Sequence, residues 1–154
     1  MPAPTAEDLI YDVKMSSTST ATITGQNAVH ELSNMDLAMK LHYLRAVYYF
    51  RNESKLPIDI FTLKEPAMKW LDVYCSVAGR IRRSETGRPF VKCNDGGVRI
   101  IEATCRVSLD EWLEMDDPSR HRLLASNQVL GPVLQFSPLV HLQVCNLERK
   151  ADNY

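Results

Sequence analysis

The chain has 154 residues, 45% of them hydrophobic, which is enough for one domain with a core of its own. Its 18 basic and 19 acidic side chains give a net charge of −1, and no block of like charge occurs along the sequence. Composition and charge therefore give no basis for electrostatic capture of nucleic acid or of an anionic membrane.

The first 22 residues predict a loose opening segment. Residues 1–14 mix proline and acidic side chains with few large apolar ones, and residues 15–22 (MSSTSTAT) are almost wholly hydroxylated. We expect little fixed structure as far as about Thr20, although the β-branched stretch TATIT would form an edge strand beside a suitable partner.

Ser33 marks the predicted start of a short helix. Asp36 follows three residues later, which is close to a capping box, and apolar side chains then recur at helical spacing as far as His42. We therefore expect a helix over residues 34–42.

Residues 43–50 (YLRAVYYF) predict a strand. They are rich in aromatic and β-branched side chains, and Leu44, Ala46, Tyr48 and Phe50 share one face at a period of two.

A longer helix is predicted between residue 58 and Gly79. Its apolar side chains recur at helical intervals, but Pro66 lies among them, and a proline inside a helix costs about 3 kcal/mol. Either Pro66 opens the main helix at its first turn, or an earlier helical piece kinks there.

The rest of the chain predicts alternating strands and short helices. Residues 88–105 predict a β-hairpin around the turn NDGG. Two short helices are predicted next, one starting at a second capping box of Ser108 and Glu111 and one in which Pro118 follows an aspartate cap. Residues 136–144 then predict a strand. The pattern indicates an α/β protein with a mixed β-sheet and flanking helices.

Catalytic motifs do not stand out from spacing alone. There is no GxSxG, phosphate-binding glycine loop or HExxH, and the pair Asp116-Asp117 is read as a helix cap. The histidines His30, His42, His121 and His141 belong to no nucleophile pair, and we interpret His42 and His141 as structural. The arginines at positions 80, 82, 83 and 88 would suit a phosphorylated cofactor, but flanking charges more often form a solvated edge.

Cysteine usage and hydropathy indicate the compartment. The four cysteines, Cys75, Cys93, Cys105 and Cys145, are scattered, which argues against structural zinc and favours reduced, mostly buried thiols. No apolar run approaches the roughly 18 residues of a membrane span, and no secretion signal opens the chain. We expect a cytoplasmic protein, with any membrane contact peripheral.

The order of segments resembles the first lobe of the plant BAHD acyltransferases. The stretches that carry the likeness are LSNMDLAMKLHYLRAVYYF, YCSVAGRIRRSETGRPFVKCNDGGVRIIEA and SPLVHLQV, which cover residues 29–144. The stretches MDLAMKLHYLRAVYYF, EWLEMDD and VLGPVLQFSPLV most resemble the eceriferum and glossy branch of wax-biosynthesis proteins. The resemblance implies an incomplete N-terminal lobe of the chloramphenicol acetyltransferase-like fold over residues 23–144, after a loose segment over 1–22 and before a divergent polar tail over 145–154.

The resemblance also identifies what is missing from this sequence. Family members carry an HxxxD motif, whose histidine is the general base, and a second lobe with a DFGWG motif. His141 does not match that histidine, because HLQVC has no aspartate at its fifth position. We therefore expect truncation before HxxxD and no catalysis by the chain as written, with no catalytic residue and no metal ligand.

A few residues carry expected roles by resemblance. Ser33, Asn34 and Met35 match the family segment that approaches the substrate channel, although helix capping and packing explain them equally well. Arg80 matches the arginine of the family's AGR sequence and is expected to be structural. The family implies acyl-CoA as co-substrate, no prosthetic group, and monomers.

Three functions follow as hypotheses. The wax branch implies a partner of a fatty-acid elongase condensing enzyme, acting at the endoplasmic reticulum without acyl transfer of its own, and we favour this function. The alternative is an acyl-CoA-dependent acyltransferase with an incomplete gene model. The third is a remnant without a stable fold, which a cooperative thermal unfolding transition would contradict.

Overall fold

The computed structural model describes residues 6–39, 42–53, 58–115, 117–126 and 137–148. The strands are β1 (Ile10–Thr18), β2 (Val29–Glu31), β3 (Arg80–Arg83), β4 (Pro89–Lys92), β5 (Val98–Cys105) and β6 (His141–Leu147). The helices are α1 (Ala6–Leu9), α2 (Asn34–Ala38), α3 (Ile60–Val73), α4 (Leu109–Glu114) and a 3-10 helix (Pro118–Leu124). The predicted mixed α/β architecture is confirmed.

The first sheet has the order β1-β5-β6 and combines both strand directions. β1 runs antiparallel to β5, and β6 runs parallel to it. β5 is central, and its Val98, Ile100, Ala103 and Cys105 are buried.

Two expected segment boundaries are wrong in this sheet. Ile10–Thr18 is a strand rather than loose chain, because β5 supplies the backbone partners that a hydroxyl-rich, β-branched segment needs. The expected polar tail from residue 145 is wrong for Cys145, Asn146 and Leu147, which continue β6 beside β5.

The second sheet has the order β2-β4-β3, and both of its pairings are antiparallel. β3 and β4 form a hairpin whose turn contains Gly87 with φ +81°. The hairpin expected between β4 and β5 does not form, since these strands belong to different sheets. The NDGG turn does supply left-handed backbone, with φ +53° at Asp95 and +75° at Gly97, but it carries the chain from one sheet to the other.

Residues 43–50 are not in a strand, contrary to the prediction. Burial alternates only from Val47 to Phe50: Val47 and Tyr49 are packed, whereas Tyr48 and Phe50 of the expected face are exposed, as are all of residues 43–46. An alternating sequence gives an extended chain, and a strand additionally needs a neighbouring backbone within hydrogen-bonding distance.

The predicted helix starts are confirmed at both capping boxes. The Ser33 and Ser108 hydroxyls accept from the backbone N–H of Asp36 and Glu111, and both carboxylates accept in return. α2 ends at Ala38, so the helix expected to reach His42 is shorter.

α3 begins at Ile60, ahead of Pro66, with the Asp59 carboxylate accepting from the N–H of Phe61. The alternative in which Pro66 opens the helix is therefore wrong. Within the ranges the structure describes, we find no helix with the length and apolar character needed to cross a membrane.

The buried side chains of the described residues include two clusters, one against each end of the first sheet. Leu9, Cys105, Trp112 and Leu124 form the first cluster, and Val47 and Tyr49 pack on it. Leu71 of α3, Ala78 and Val98 form the second. Residues 43–50 are thus fixed to the core through one face only.

Candidate functional site

A cavity of about 680 Å³ lies between residues 43–50 and the segment 138–147 that contains β6. Leu63 of α3 and Leu124 of the 3-10 helix also line it, and most of its lining side chains are apolar. This volume and character are typical of natural small-molecule sites.

The walls of the cavity follow from the sheet order. β6 is the last strand of the first sheet and pairs only with β5, so its other edge has no strand partner among the described residues. The opposite wall, residues 43–50, is extended and is held by Val47 and Tyr49. The cavity therefore lies along a sheet edge without a strand partner among the described residues, and its walls carry mostly apolar side chains.

A chain of polar side chains anchors one wall of the cavity. Nε1 of Trp112 donates to the Tyr49 hydroxyl at 3.1 Å, and that hydroxyl lies 2.6 Å from Nδ1 of His121. The Tyr49 and His121 rings also meet edge to face at 6.1 Å between centroids. Spacing gave no signal for this cluster, because Tyr49 and His121 are 72 residues apart.

The three predicted channel residues lie at the start of α2. Ser33 is its N-cap, Oδ1 of Asn34 accepts from Arg88 at 3.4 Å, and Met35 is exposed. None of them is among the residues that line the cavity. A role in a substrate channel stays a prediction.

Asp36 has the capping role expected of a carboxylate in the first turn. Its side chain accepts from the Ser33 backbone N–H at 2.8 Å. The hydrogen bonds with Ser33 lower the pKa of Asp36.

Arg80 holds together the loop that joins the two sheets. Its guanidinium donates to the carbonyl oxygens of Gly79 at 2.8 Å and of Gly97 at 2.7 Å, and also to that of Gly96. Burial, and then the neighbouring Arg99 and Arg82, lower the pKa of Arg80. These contacts agree with the structural role expected for this arginine.

The other arginines of this group also donate to backbone carbonyls. Arg82 donates to Ile81, Arg83 to Gly87 and Arg88 to Leu32. They brace the β3-β4 hairpin and connect it to the residue before the Ser33 cap.

The interpretation of His42 and His141 as structural residues stays a prediction. Nδ1 of His42 lies 3.1 Å from the carbonyl oxygen of Met39, although the residue is exposed rather than packed. His141 opens β6 opposite Arg99, and burial, followed by the charges of Arg99 and Arg80, lowers its pKa.

The acidic pair and the thiols offer no metal site in the described part of the chain. Asp117 accepts from the Arg120 backbone, and Asp116 lies outside the described residues. The four cysteines are free, two of them buried and two half-buried. No cluster of three or more metal-binding side chains occurs in the ranges that the structure describes.

Comparisons with known proteins identify the family of this chain and several of its relatives. A family model described as the Transferase family matches residues 14–149. Protein ECERIFERUM 2 of Arabidopsis thaliana is 41% identical over 145 residues, which is 88% of this chain and 34% of the relative. Protein ECERIFERUM 26 of the same plant is 36% identical over 135 residues, or 88% of this chain and 32% of the relative.

A more distant relative carries an enzyme name. Hydroxycinnamoyltransferase of Narcissus pseudonarcissus is 28% identical over 118 residues, which is 75% of this chain and 27% of the relative. The chain spans about a third of the length of the ECERIFERUM relatives that it matches.

Proposed function

Because the chain belongs to the Transferase family, the plant BAHD acyltransferases, and within it to the eceriferum branch, we propose that it serves the elongation of very-long-chain fatty acids for cuticular wax. It does so as a partner of an elongase condensing enzyme. The observation that supports the branch is the 41% identity to Protein ECERIFERUM 2 over 88% of this chain.

The shape and lining of the cavity are compatible with an acyl chain as ligand. Its walls are formed mostly by apolar side chains, and its volume is about 680 Å³. Burying methylene groups against such a surface is favourable by about 0.8 kcal/mol each. An acyl group held here would be extended along β6, in the space between this strand and residues 43–50.

The proposed partner and location follow from the substrates. Condensing enzymes use acyl-CoA thioesters, so acyl-CoA is the co-substrate that the partnership implies. Elongation of these chains takes place at the endoplasmic reticulum, and we propose a peripheral association with that membrane.

Co-expression with a condensing enzyme tests this function. A protein containing this sequence is expressed with and without a plant elongase condensing enzyme in a host that lacks very-long-chain products, and the acyl chains are measured by gas chromatography. We expect longer chains only when both proteins are present. Unchanged chain lengths would contradict the proposal.

Two alanines provide a matched pair of variants for the cavity. Ala46 lines the cavity and Ala21 does not, while both residues are exposed. We expect Ala46→Phe, which narrows the cavity, to shorten the products, and Ala21→Phe to leave them unchanged. Equal product lengths from the two variants would exclude the cavity as the acyl site.

Acyl transfer to a hydroxyl or amine is the second candidate function. It is favoured by the likeness to Hydroxycinnamoyltransferase at 28% identity. The two functions differ in their need for a general base. If substitution of the histidine in any HxxxD motif of the expressed protein abolishes product formation, acyl transfer is the function; if chain elongation persists, the condensing-enzyme partnership is supported.

A further inference from the structure

A row of three side chains crosses the first sheet at one level. Ser17 of β1 is opposite Arg99 of β5, and Arg99 is opposite His141 of β6. Residues directly opposite one another in neighbouring strands share a face of the sheet, with Cβ atoms about 5 Å apart. The row therefore places a hydroxyl, a guanidinium and an imidazole side by side.

A second guanidinium adds charge of the same sign. Arg80 lies near this row, since its charge and that of Arg99 act on each other and both act on His141. None of the ion pairs among the described residues includes Arg80 or Arg99. Positive charge is thus concentrated here without a carboxylate bound to either guanidinium.

Ser17, Arg99 and Arg80 face a space that is large enough for a ligand, whereas His141 lines the apolar cavity. A cavity of about 370 Å³ is lined by Ser16, Ser17, Arg80 and Arg99, and also by Gly96. Among the described residues, the Arg99 guanidinium has a 3.9 Å contact with the sulfur of Met15, and a guanidinium has five N–H donors, so others can reach a ligand. Hydroxyls and a guanidinium together are donors that suit phosphate oxygens.

We propose that this cavity binds a phosphate group, with Arg99 as the principal donor, Ser17 as the hydroxyl donor on the same face, and Arg80 supplying charge from its fixed position. The phosphate group belongs to a soluble phosphate ester or to a phospholipid headgroup, which offer the same chemistry to these residues. This cavity adjoins the apolar cavity, since Pro138 lines both, but the proposal does not rest on the proposed function.

Binding to three probes tests the site and distinguishes the sources of the phosphate. The folded 154-residue chain is titrated with inorganic phosphate, with coenzyme A, and with phosphatidylcholine vesicles that contain or lack phosphatidic acid. Calorimetry or vesicle sedimentation gives the affinity, and the thermal unfolding midpoint rises with any ligand that binds the folded state. Preference for coenzyme A supports a soluble ester, and binding only to phosphatidic acid vesicles supports a lipid headgroup.

Arginine variants show whether Arg99 forms the site. We expect Arg99→Gln to weaken binding of the preferred probe at least about tenfold, because a charge-assisted hydrogen bond is lost. Arg83→Gln removes the same charge at an exposed position on β3 and is expected to leave the affinity unchanged.

A variant outside the central strand keeps the test valid if Arg99→Gln unfolds the chain. Ser17→Asp places a negative charge at the exposed edge strand beside Arg99, and we expect it to abolish binding while the thermal transition is retained. The proposal is overturned if none of the three probes binds the folded chain. It is equally overturned if Arg83→Gln weakens binding as much as Arg99→Gln, because the attraction would then be general to the surface.

Discussion

The Tyr49 hydroxyl lies 2.6 Å from Nδ1 of His121 and so connects the extended wall of the apolar cavity to the 3-10 helix. The same oxygen accepts from the indole N–H of Trp112, a residue only 4% exposed. A hydroxyl can accept and donate at once, and this one therefore satisfies a buried donor and a ring nitrogen together.

Replacing Tyr49 by phenylalanine should destabilise the fold. The Tyr49→Phe variant leaves the Trp112 indole N–H without its acceptor, and we expect the free energy of unfolding to fall by about 2 kcal/mol. Urea unfolding followed by tryptophan fluorescence, to which Trp70 and Trp112 both contribute, measures the loss. Tyr48→Phe is the control, since Tyr48 is 78% exposed, and an equal loss in both variants would show that the hydroxyl bridge is unimportant.

Replacing Arg80 by lysine should loosen the connection between the two sheets. A lysine ammonium cannot reach the carbonyl oxygens of Gly79, Gly96 and Gly97 with the geometry of the guanidinium. We expect Arg80→Lys to lower the unfolding free energy by about 2 kcal/mol and the exposed Arg83→Lys by less than about 0.5 kcal/mol. Denaturant midpoints check this, and comparable midpoints for the two variants would contradict it.

Gly97 and Gly87 allow backbone strain to be separated from steric overlap. Both have φ near +80°, but a Cβ at Gly97 would overlap the Thr18 carbonyl oxygen, whereas a Cβ at Gly87 would meet nothing within 4 Å. We expect Gly87→Ala to cost about 1 kcal/mol from the left-handed conformation and Gly97→Ala about 3 kcal/mol, because overlap is added. Thermal unfolding of the two variants gives the difference, and equal losses would argue against the overlap.

The Cys93 thiol should be unreactive at ordinary pH. Burial, with a further contribution from neighbouring Cys75, raises its pKa to about 11. At about pH 8 its thiolate is roughly a hundredfold scarcer than that of an ordinary cysteine, so we expect alkylation to be slower by a similar factor.

Mass spectrometry of iodoacetamide-treated protein measures the Cys93 rate, with the urea-unfolded chain as reference. The rate should rise about tenfold for each pH unit until the pKa is approached. Since the folded state holds this proton more tightly, Cys93 also stabilises the fold fully below about pH 9 and loses that contribution as the pH rises towards 11. A rate at neutral pH equal to that of the unfolded chain would contradict the raised pKa.

Local rules were sufficient where the deciding contacts are close in sequence. Ser33 and Ser108 begin their helices as predicted, because a capping box is completed within four residues. The left-handed backbone of Asp95 and Gly97 was equally predictable from the turn composition.

Pairing between distant segments could not be derived in this way. The strand Ile10–Thr18 depends on pairing with β5, which lies about eighty residues further along the chain. The hairpin of β3 and β4 was not predicted, because its four closely spaced arginines were interpreted as a solvated edge. Residues 43–50 show the converse case, since their sequence alternates as a strand does but they form no strand with the described part of the chain. The apolar cavity beside them depends on that placement and has no local signature.

The position of β5 between β1 and β6 also determines the order of events in folding. Neither of its pairings is local, because β1 ends at Thr18 while β5 begins at Val98, and β6 does not begin until His141. The β3-β4 hairpin is closed by a short turn and can form within microseconds. The first sheet must first lose the conformational entropy of closing two long loops, and only then do its strand pairings stabilise it. We therefore expect the hairpin to form early, and the completion of β5 to be the slow step that sets the folding rate of the whole chain.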